Sequence, residues 1–345
     1  MITAAVCGRR LNVSRLNIVA DARIRYSTPM DAPVPILVIT GQTASGKEAV
    51  ALAAALRLGG ELVSADSMKV YREMDIGTAK PSAGQRAAVP HHLLDVADPG
   101  DVFSTADWRR MAEAAIIAIR ARGRAAIISG GTPLYLKSLL EGMFEGPAAN
   151  AEIRERLKAE AETFSTPVLH ERLAKIDPVA AGRIHPNDLR RITRALEVWE
   201  LTGTPISELQ KQWGQASPRW RPLVAAIRRD REDLTHRIRR RVERMMAAGL
   251  IDEVRRLAAR PAGLARGARQ ALGYAEVLDF LAGRVTEEEL VPAIVAHTRQ
   301  FARRQMTWLA RFPDVAWLDA APDTPTDTLA DRVVALWQEH VKAKP

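Results

Sequence analysis

The chain has 345 residues, 47% hydrophobic and 26% charged, with a net charge of +9. That length supports one large domain or two modest ones with a real core, in a soluble globular chain rather than a fibrous or disordered one. No apolar run reaches the roughly 18–20 residues of a membrane helix. A single cysteine, Cys7, excludes an intrachain disulfide and a cysteine-based zinc site, in keeping with a reducing cytosol. The positive excess favours a polyanionic partner.

Residues 1–30 hold five Arg and one Asp, with no Lys or Glu and no hydrophobic period. Such a stretch fits a transit peptide, but the plainer reading is a disordered extension, or a start codon placed ahead of the natural one at Met30. Val34 to Thr40 is an apolar, β-branched run that reads as a buried strand. A glycine loop follows at 41–47, then an Ala- and Leu-rich helix from Glu48 to Leu58. Glu61 to Asp66 is a second strand that ends on an acid. Phe103 to Arg122 is a helix with Ser104 or Thr105 as its N-cap. Arg124 to Ser129 is a third buried strand, followed by Gly130-Gly131-Thr132.

Strands alternating with helices imply a parallel sheet covered on both faces, with ligands beyond the strands' C-terminal ends. The 41–47 loop, Asp66 and Thr132 all fall there. From about residue 148 the pattern turns helical, with candidates at Glu152–Glu162, Val168–Lys175 and Asp188–Leu201. Residues 213–222, with Trp213, Pro218, Trp220 and Pro222, read as a connection. Leu223 to Ile227 reads as a returning strand, and helices follow at about 231–247, 249–259, 270–282 and 286–310. The expected fold class is α/β: a P-loop NTPase-like parallel sheet flanked by helices, with an all-helical insertion domain. The expected boundaries are an extension at 1–32, a first core part at 33–147, the insertion at 148–204, a mostly helical second core part at 205–320 and a tail at 321–345.

Gly41, Gln42, Thr43, Ala44, Ser45, Gly46 and Lys47 fit the G-x-x-x-x-G-K core of a P-loop. Its glycines turn backbone N–H groups toward a phosphate, the following helix adds its positive end and Lys47 adds a full charge. The next residue is ordinarily Ser or Thr, whose hydroxyl ligates Mg²⁺. Here it is Glu48, which either complements the helix dipole or ligates the metal through a carboxylate. Asp66, at a strand's end beside the loop, suits a general base or a structural loop cap. The third strand ends in Ser-Gly-Gly rather than the acid an ATPase needs. Arginines gather at Arg190, Arg191 and Arg194, at Arg228–Arg244, and at Arg299, Arg303, Arg304 and Arg311. Each group taken alone is a solvated helix face; together, beside a phosphate cleft, they suggest a nucleic-acid track. His91 and His92 lack partners for a metal set and read as structural.

The ordered motifs resemble the tRNA dimethylallyltransferases, or isopentenyltransferases. They are the 43–47 loop, Asp66-Ser67 with Val70-Tyr71, Asp75 to Pro81, Pro90 to Asp95, Gly130 to Thr132 with Leu134-Tyr135, and Leu140 to Gly142. Ile184 to Asp188, Arg194 to Val198, Gln270 to Tyr274, Thr298 to Gln300 and Arg304 to Trp308 continue the set, which spans about 35 to 320. The resemblance implies transfer of a dimethylallyl group from dimethylallyl diphosphate to N6 of the adenosine 3′ of a tRNA anticodon. It implies Mg²⁺ as cofactor, a cytoplasmic location and, as expected here, a monomer without membrane attachment. By similarity Asp66 takes the amine proton, Thr132 helps hold the leaving oxygen, and residues 41–48 cradle the diphosphate. The tRNA-contacting positions implied are Asp66, Ser67, Met68, Lys69, Thr132, Arg154, Arg190, Arg191, Ile192, Thr193, Arg194, Arg269, Gln270, Gly273, Tyr274, Thr298, Arg299, Gln300, Arg303, Arg304 and Gln305. The chain departs from the family pattern at Gln42 (Pro), Glu48 (Ser or Thr), Lys69 (Gln), Pro133 (Gly) and Ala275 (Lys or Arg). A P-loop kinase acting on a small molecule or nucleoside, and a tRNA-binding homologue with weakened catalysis, are the alternative readings.

Overall fold

The structure, a computed structural model, describes residues 33–143, 146–212 and 219–343. The 1–32 extension and the 213–218 part of the expected connection lie outside the described residues. In chain order the elements are β1 (Val34–Gly41), α1 (Lys47–Leu58), β2 (Glu61–Ser64), α2 (Ala83–Ala88), β3 (His91–His92), α3 (Thr105–Ala121), β4 (Ala126–Ser129) and α4 (Pro133–Leu140). The helices α5 (Ala151–Phe164), α6 (Thr166–Ile176), α7 (Pro178–Ala181), α8 (Leu189–Thr202) and α9 (Ile206–Leu209) follow, then β5 (Trp220–Arg228) and α10 (Arg231–Ala247). The chain continues through α11 (Leu250–Ala258), α12 (Arg266–Arg269), α13 (Tyr274–Leu281), α14 (Glu287–Leu309), β6 (Val315–Asp319) and α15 (Thr326–Lys342). It divides into two compact units, one of residues 1–139 with 219–345 and one of residues 140–218.

The first unit holds a six-stranded, all-parallel sheet in the order β3-β2-β4-β1-β5-β6. The central strand β1 is apolar from Val34 to Ile39, as a strand covered on both faces must be, and Ile36 to Ile39 are fully buried. Its register sets Leu37 against Ile127 and Leu223, and Gly41 against Ile227. On one face, Val50, Ala51, Ala54 and Ala55 of α1 share a core cluster with Leu329, Ala330, Val333 and Trp337 of α15. Trp108 of α3 is fully buried, donates Nε1–H to the Ser64 carbonyl at 2.8 Å and stacks on Tyr135 at 4.4 Å.

The strands β3 and β6, the short helices α2, α4, α7, α9 and α12, and the last helix α15 escape the sequence reading. β3 has two residues and no room for a period. His92 there bonds Glu61 at 2.7 Å, which also takes Arg122 and Arg124, a structural setting for that histidine. β6 adds an edge to β5, and the expected 321–345 tail is largely α15, part of the sheet's cover. Residues 205–212 fall in the helical unit rather than the second core part, and Ile206 is buried there.

In the helical unit, Leu157, Leu169, Leu173, Ile192 and Leu196 form the core at helical spacing. Glu197 of α8 is fully buried. It accepts both guanidinium nitrogens of Arg154 at 2.8 and 2.9 Å, Arg194 at 2.6 Å and the Asn150 amide at 2.7 Å. Burial opposes its charge, but the two guanidiniums and the amide outweigh that and hold it below the usual carboxylate range.

Candidate active site

The loop between β1 and α1 has the backbone a phosphate cradle needs. Gly41 has φ +149°, and a Cβ there would sit 2.7 Å from the Ile227 carbonyl, so the close approach of β5 excludes any larger residue. Gly46 caps α1 at φ +94° and brings no side chain to the helix's first N–H groups. From outside, Arg237 donates to the Ala44 carbonyl at 3.0 Å. Arg229 donates to that of Ser45 at 2.8 Å while paired to Asp233 at 2.9 Å. Two buried side-chain atoms of the loop, Gln42 Oε1 and Ser45 Oγ, have no hydrogen-bond partner.

Lys47 is buried and donates to the Gln42 carbonyl at 3.3 Å. Burial, aided by Lys69 and Arg241 and opposed by Glu48 and Asp66, pushes its ammonium down to about 8. An incoming anion restores the charged form. Above pH 8, binding of a diphosphate monoester is therefore expected to take up close to one proton, read as the slope of calorimetric enthalpy against buffer ionisation enthalpy. A zero slope at about pH 9 would contradict this. The sign is consistent for the unliganded protein: a lysine lowered from 10.5 to about 8 makes stability rise with pH between those values.

Across the cleft, Asp66 follows β2. Its Oδ1 accepts the Met68 amide at 2.8 Å and the Lys69 amide at 3.3 Å, a turn that fixes the carboxylate. Thr132 follows β4, and its Oγ1 accepts the Ser67 amide at 3.0 Å and lies 3.3 Å from the Ser67 hydroxyl. The Thr132 amide donates to the Ala65 carbonyl at 3.1 Å. The structure thus joins Asp66, Ser67 and Thr132 at adjacent strand ends.

Glu48 lies in the first turn of α1. Lys69 Nζ stands 3.4 Å from its Oε1 and the Ser129 hydroxyl 3.4 Å from its Oε2. Packing around the carboxyl opposes its charge, but Lys69 and Lys47 outweigh that and keep it below the ordinary glutamate value. The two departures from the family pattern therefore meet as an ion pair.

Several supports went unread in the sequence. Arg229, Arg237 and Arg241 stood only within a basic run; Arg229, between β5 and α10, and Arg237 on α10 reach the P-loop carbonyls, and α10 carries Arg241 as well. Arg241 is lowered by burial, with Asp66 and Glu48 opposing, and reaches the Thr78 carbonyl at 3.4 Å. Glu253 of α11 accepts the amides of Asp75, Ile76 and Gly77 at 2.8–3.2 Å and the Tyr274 hydroxyl. No sequence signal beyond a buried acid on an amphipathic helix marks it.

The expected tRNA positions divide by exposure. Arg269, Gln270, Gln300, Arg303 and Arg304 are exposed in the first unit, and Arg190 and Arg191 in the helical unit, while Arg299 and Thr193 are partly buried. Ile192, Gly273, Tyr274, Thr298 and Gln305 are buried, which places their side chains, or for Gly273 its backbone, in the protein interior. Gln305 on α14 accepts the Thr43 amide at 2.7 Å and donates to the Gly131 carbonyl at 2.5 Å, tying the P-loop to the Gly130–Thr132 turn. Arg154 and Arg194 are committed to Glu197, with their guanidiniums still partly exposed.

Residues 69–312 match the family model described as IPP transferase. A tRNA dimethylallyltransferase 1 of Pelobacter propionicus is 49% identical over 284 residues, 82% of this chain and 92% of that protein. A tRNA dimethylallyltransferase of Geobacter metallireducens is 47% identical over 286 residues, 82% of this chain and 92% of that protein. The crystal structure of the tRNA isopentenylpyrophosphate transferase of Bacillus halodurans superposes with a TM-score of 0.64 at 36% identity, covering 89% of this chain and 98% of the other. A eukaryotic dimethylallyltransferase caught acting on tRNA superposes with a TM-score of 0.78 at 27% identity, covering 90% of this chain and 80% of the other. With the family match running from beside Asp66 to beyond Gln305, the chain belongs to the IPP transferase family.

Proposed function

We propose that the chain transfers a dimethylallyl group from dimethylallyl diphosphate to N6 of the adenosine next to a tRNA anticodon. The observation that carries this reading is the pairing of a phosphate loop with Asp66 and Thr132 where an ATPase would place a β4 acid; β4 ends in Ser129-Gly130-Gly131 instead. The family membership supplies the substrates' chemistry.

On this reading the adenine leaves its stack and enters the cleft. N6 attacks the allylic carbon, the carbon–oxygen bond to diphosphate breaks, and Asp66 accepts the proton the amine sheds. The Asp66 turn keeps that carboxylate aimed without occupying both oxygens. Thr132 stands beside the leaving oxygen, while Lys47, the loop amides and the nearby arginines take up the charge that collects on diphosphate. On the first unit, exposed Arg269, Arg303 and Arg304 are suited to tRNA phosphates; on the helical unit, so are exposed Arg190 and Arg191. Among the described residues no helix is long and apolar enough to cross a membrane.

Glu48, the carboxylate next to the loop's lysine, is paired with Lys69 at 3.4 Å and lies 3.4 Å from the Ser129 hydroxyl, so it fits a directly bound metal poorly. When present, Mg²⁺ would add charge neutralisation to what Lys47 and the loop amides give the diphosphate.

Incubation with unmodified tRNA and dimethylallyl diphosphate, followed by nucleoside mass analysis, is expected to show N6-isopentenyladenosine and free diphosphate. Phosphate transfer from ATP to a free nucleoside, with no prenylated product, would overturn the reading.

A further inference from the structure

We propose that the Lys69 ammonium, paired with Glu48 in the first turn after the phosphate loop, supplies within the protein the positive charge that a P-loop otherwise takes from a metal on its Ser or Thr hydroxyl. The inference rests on the proposed diphosphate site.

The Lys69 side chain is 5% exposed, and a cation that deep needs a partner. Its partner is one carboxylate oxygen of Glu48, at 3.4 Å, well beyond the 2.7–2.9 Å of a charge-assisted hydrogen bond. An ammonium has three donors, so this loose contact positions Lys69 and leaves capacity for a phosphate oxygen. Glu48 is 46% exposed and faces a small cleft that Lys69, Ser64, His91 and Ser129 also line. Lys47, Lys69 and Arg241 stand near Glu48 and Asp66 beside this loop, so cations exceed these two carboxylates before any metal arrives.

The pair also obstructs a metal. Mg²⁺ on the Glu48 oxygen at its usual 2.0–2.1 Å would lie no more than about 5.5 Å from the Lys69 nitrogen, a dication against a buried cation. A neutral hydroxyl at position 48 and a neutral amide at position 69 would leave room for the ion; Glu48 with Lys69 instead fills the position with a fixed charge of the same sign. Neither substitution makes sense alone: Lys69 without Glu48 is a buried unpaired cation, and Glu48 without Lys69 repels the phosphates.

The test is calorimetric binding of dimethylallyl diphosphate to the full chain, with Mg²⁺ or with a chelator, and without tRNA. The wild-type dissociation constant is expected to change by less than about threefold between the two conditions. Lys69→Gln should weaken binding roughly tenfold to a hundredfold in chelator, the loss of one charged hydrogen bond, and Mg²⁺ should not restore it while Glu48 remains. The double variant Glu48→Thr with Lys69→Gln should bind weakly in chelator and recover with Mg²⁺. Thermal melting of each variant separates these effects from unfolding. Wild-type binding that collapses in chelator as far as the double variant's overturns the proposal, as does equal binding by wild type and Lys69→Gln. Failure of the transfer reading would show separately, as binding without a prenylated nucleoside.

Discussion

Asp66→Asn is expected to lower the rate of prenyl transfer by about 10²–10⁴-fold, the usual worth of a positioned proton acceptor. The variant isolates that role because asparagine keeps an Oδ1 to receive the Met68 and Lys69 amides, so the turn survives. Thermal melting and tRNA affinity should match the wild type, and the loss should fall on kcat rather than on KM for dimethylallyl diphosphate, since Asp66 is not placed against the diphosphate. Single-turnover measurement of prenylated adenosine reads this directly. A near-normal rate would assign the proton to another acceptor, with solvent the first alternative. A joint loss of kcat and melting temperature would reduce Asp66 to a loop cap.

Gly130→Ala is expected to produce the largest stability loss of a single methyl addition in the site, about 3 kcal/mol or more. A Cβ on Gly130 would lie 2.2 Å from the Ala65 carbonyl oxygen and 2.3 Å from its carbon, atoms of a buried backbone that cannot swing aside. Relief requires β2 and β4 to part at the point where the Ala65 amide donates to Ser129 and the Thr132 amide donates to Ala65. The urea midpoint should fall, and the surviving folded enzyme should be slow because Thr132 has moved from Ser67. Gly123→Ala is the control. It has φ +71° and nothing within 4 Å, so its cost is limited to left-handed strain of about 1 kcal/mol. Equal midpoints for the two variants would mean that the strand ends are more compliant than their hydrogen bonds indicate.

The P-loop, Asp66 and Thr132 were legible in the sequence because each follows a strand, the P-loop and Thr132 after apolar runs and Asp66 after the shorter Glu61–Ser64. A strand buried on both faces must be apolar, and a phosphate loop must carry glycine at fixed offsets. β3 and β6 were illegible because a two-residue edge strand has no pattern, and because Val315 to Asp319 gains its identity from pairing with β5. Gln305 shows a different limit. Its motif marked it as functional, yet whether a glutamine on α14 meets tRNA or the P-loop depends on which side of a long helix faces the sheet. Its two hydrogen bonds, to Thr43 and Gly131, settle that for this structure. Glu48 and Lys69 looked like separate irregularities for a similar reason: they are 21 positions apart in the chain and 3.4 Å apart in space.

The pairing of β1 with both β4 and β5 has a consequence for biosynthesis. β1 emerges from the ribosome early, yet Gly41 takes its shape against Ile227 of β5, which follows the whole helical unit. The helical unit has its own core at Leu157, Leu173, Ile192 and Leu196, whereas the phosphate loop waits for a strand pairing of long sequence separation. A nascent chain ending before β5 therefore carries the complete glycine motif without the surface that shapes it, so the ability to hold a diphosphate arrives late in synthesis.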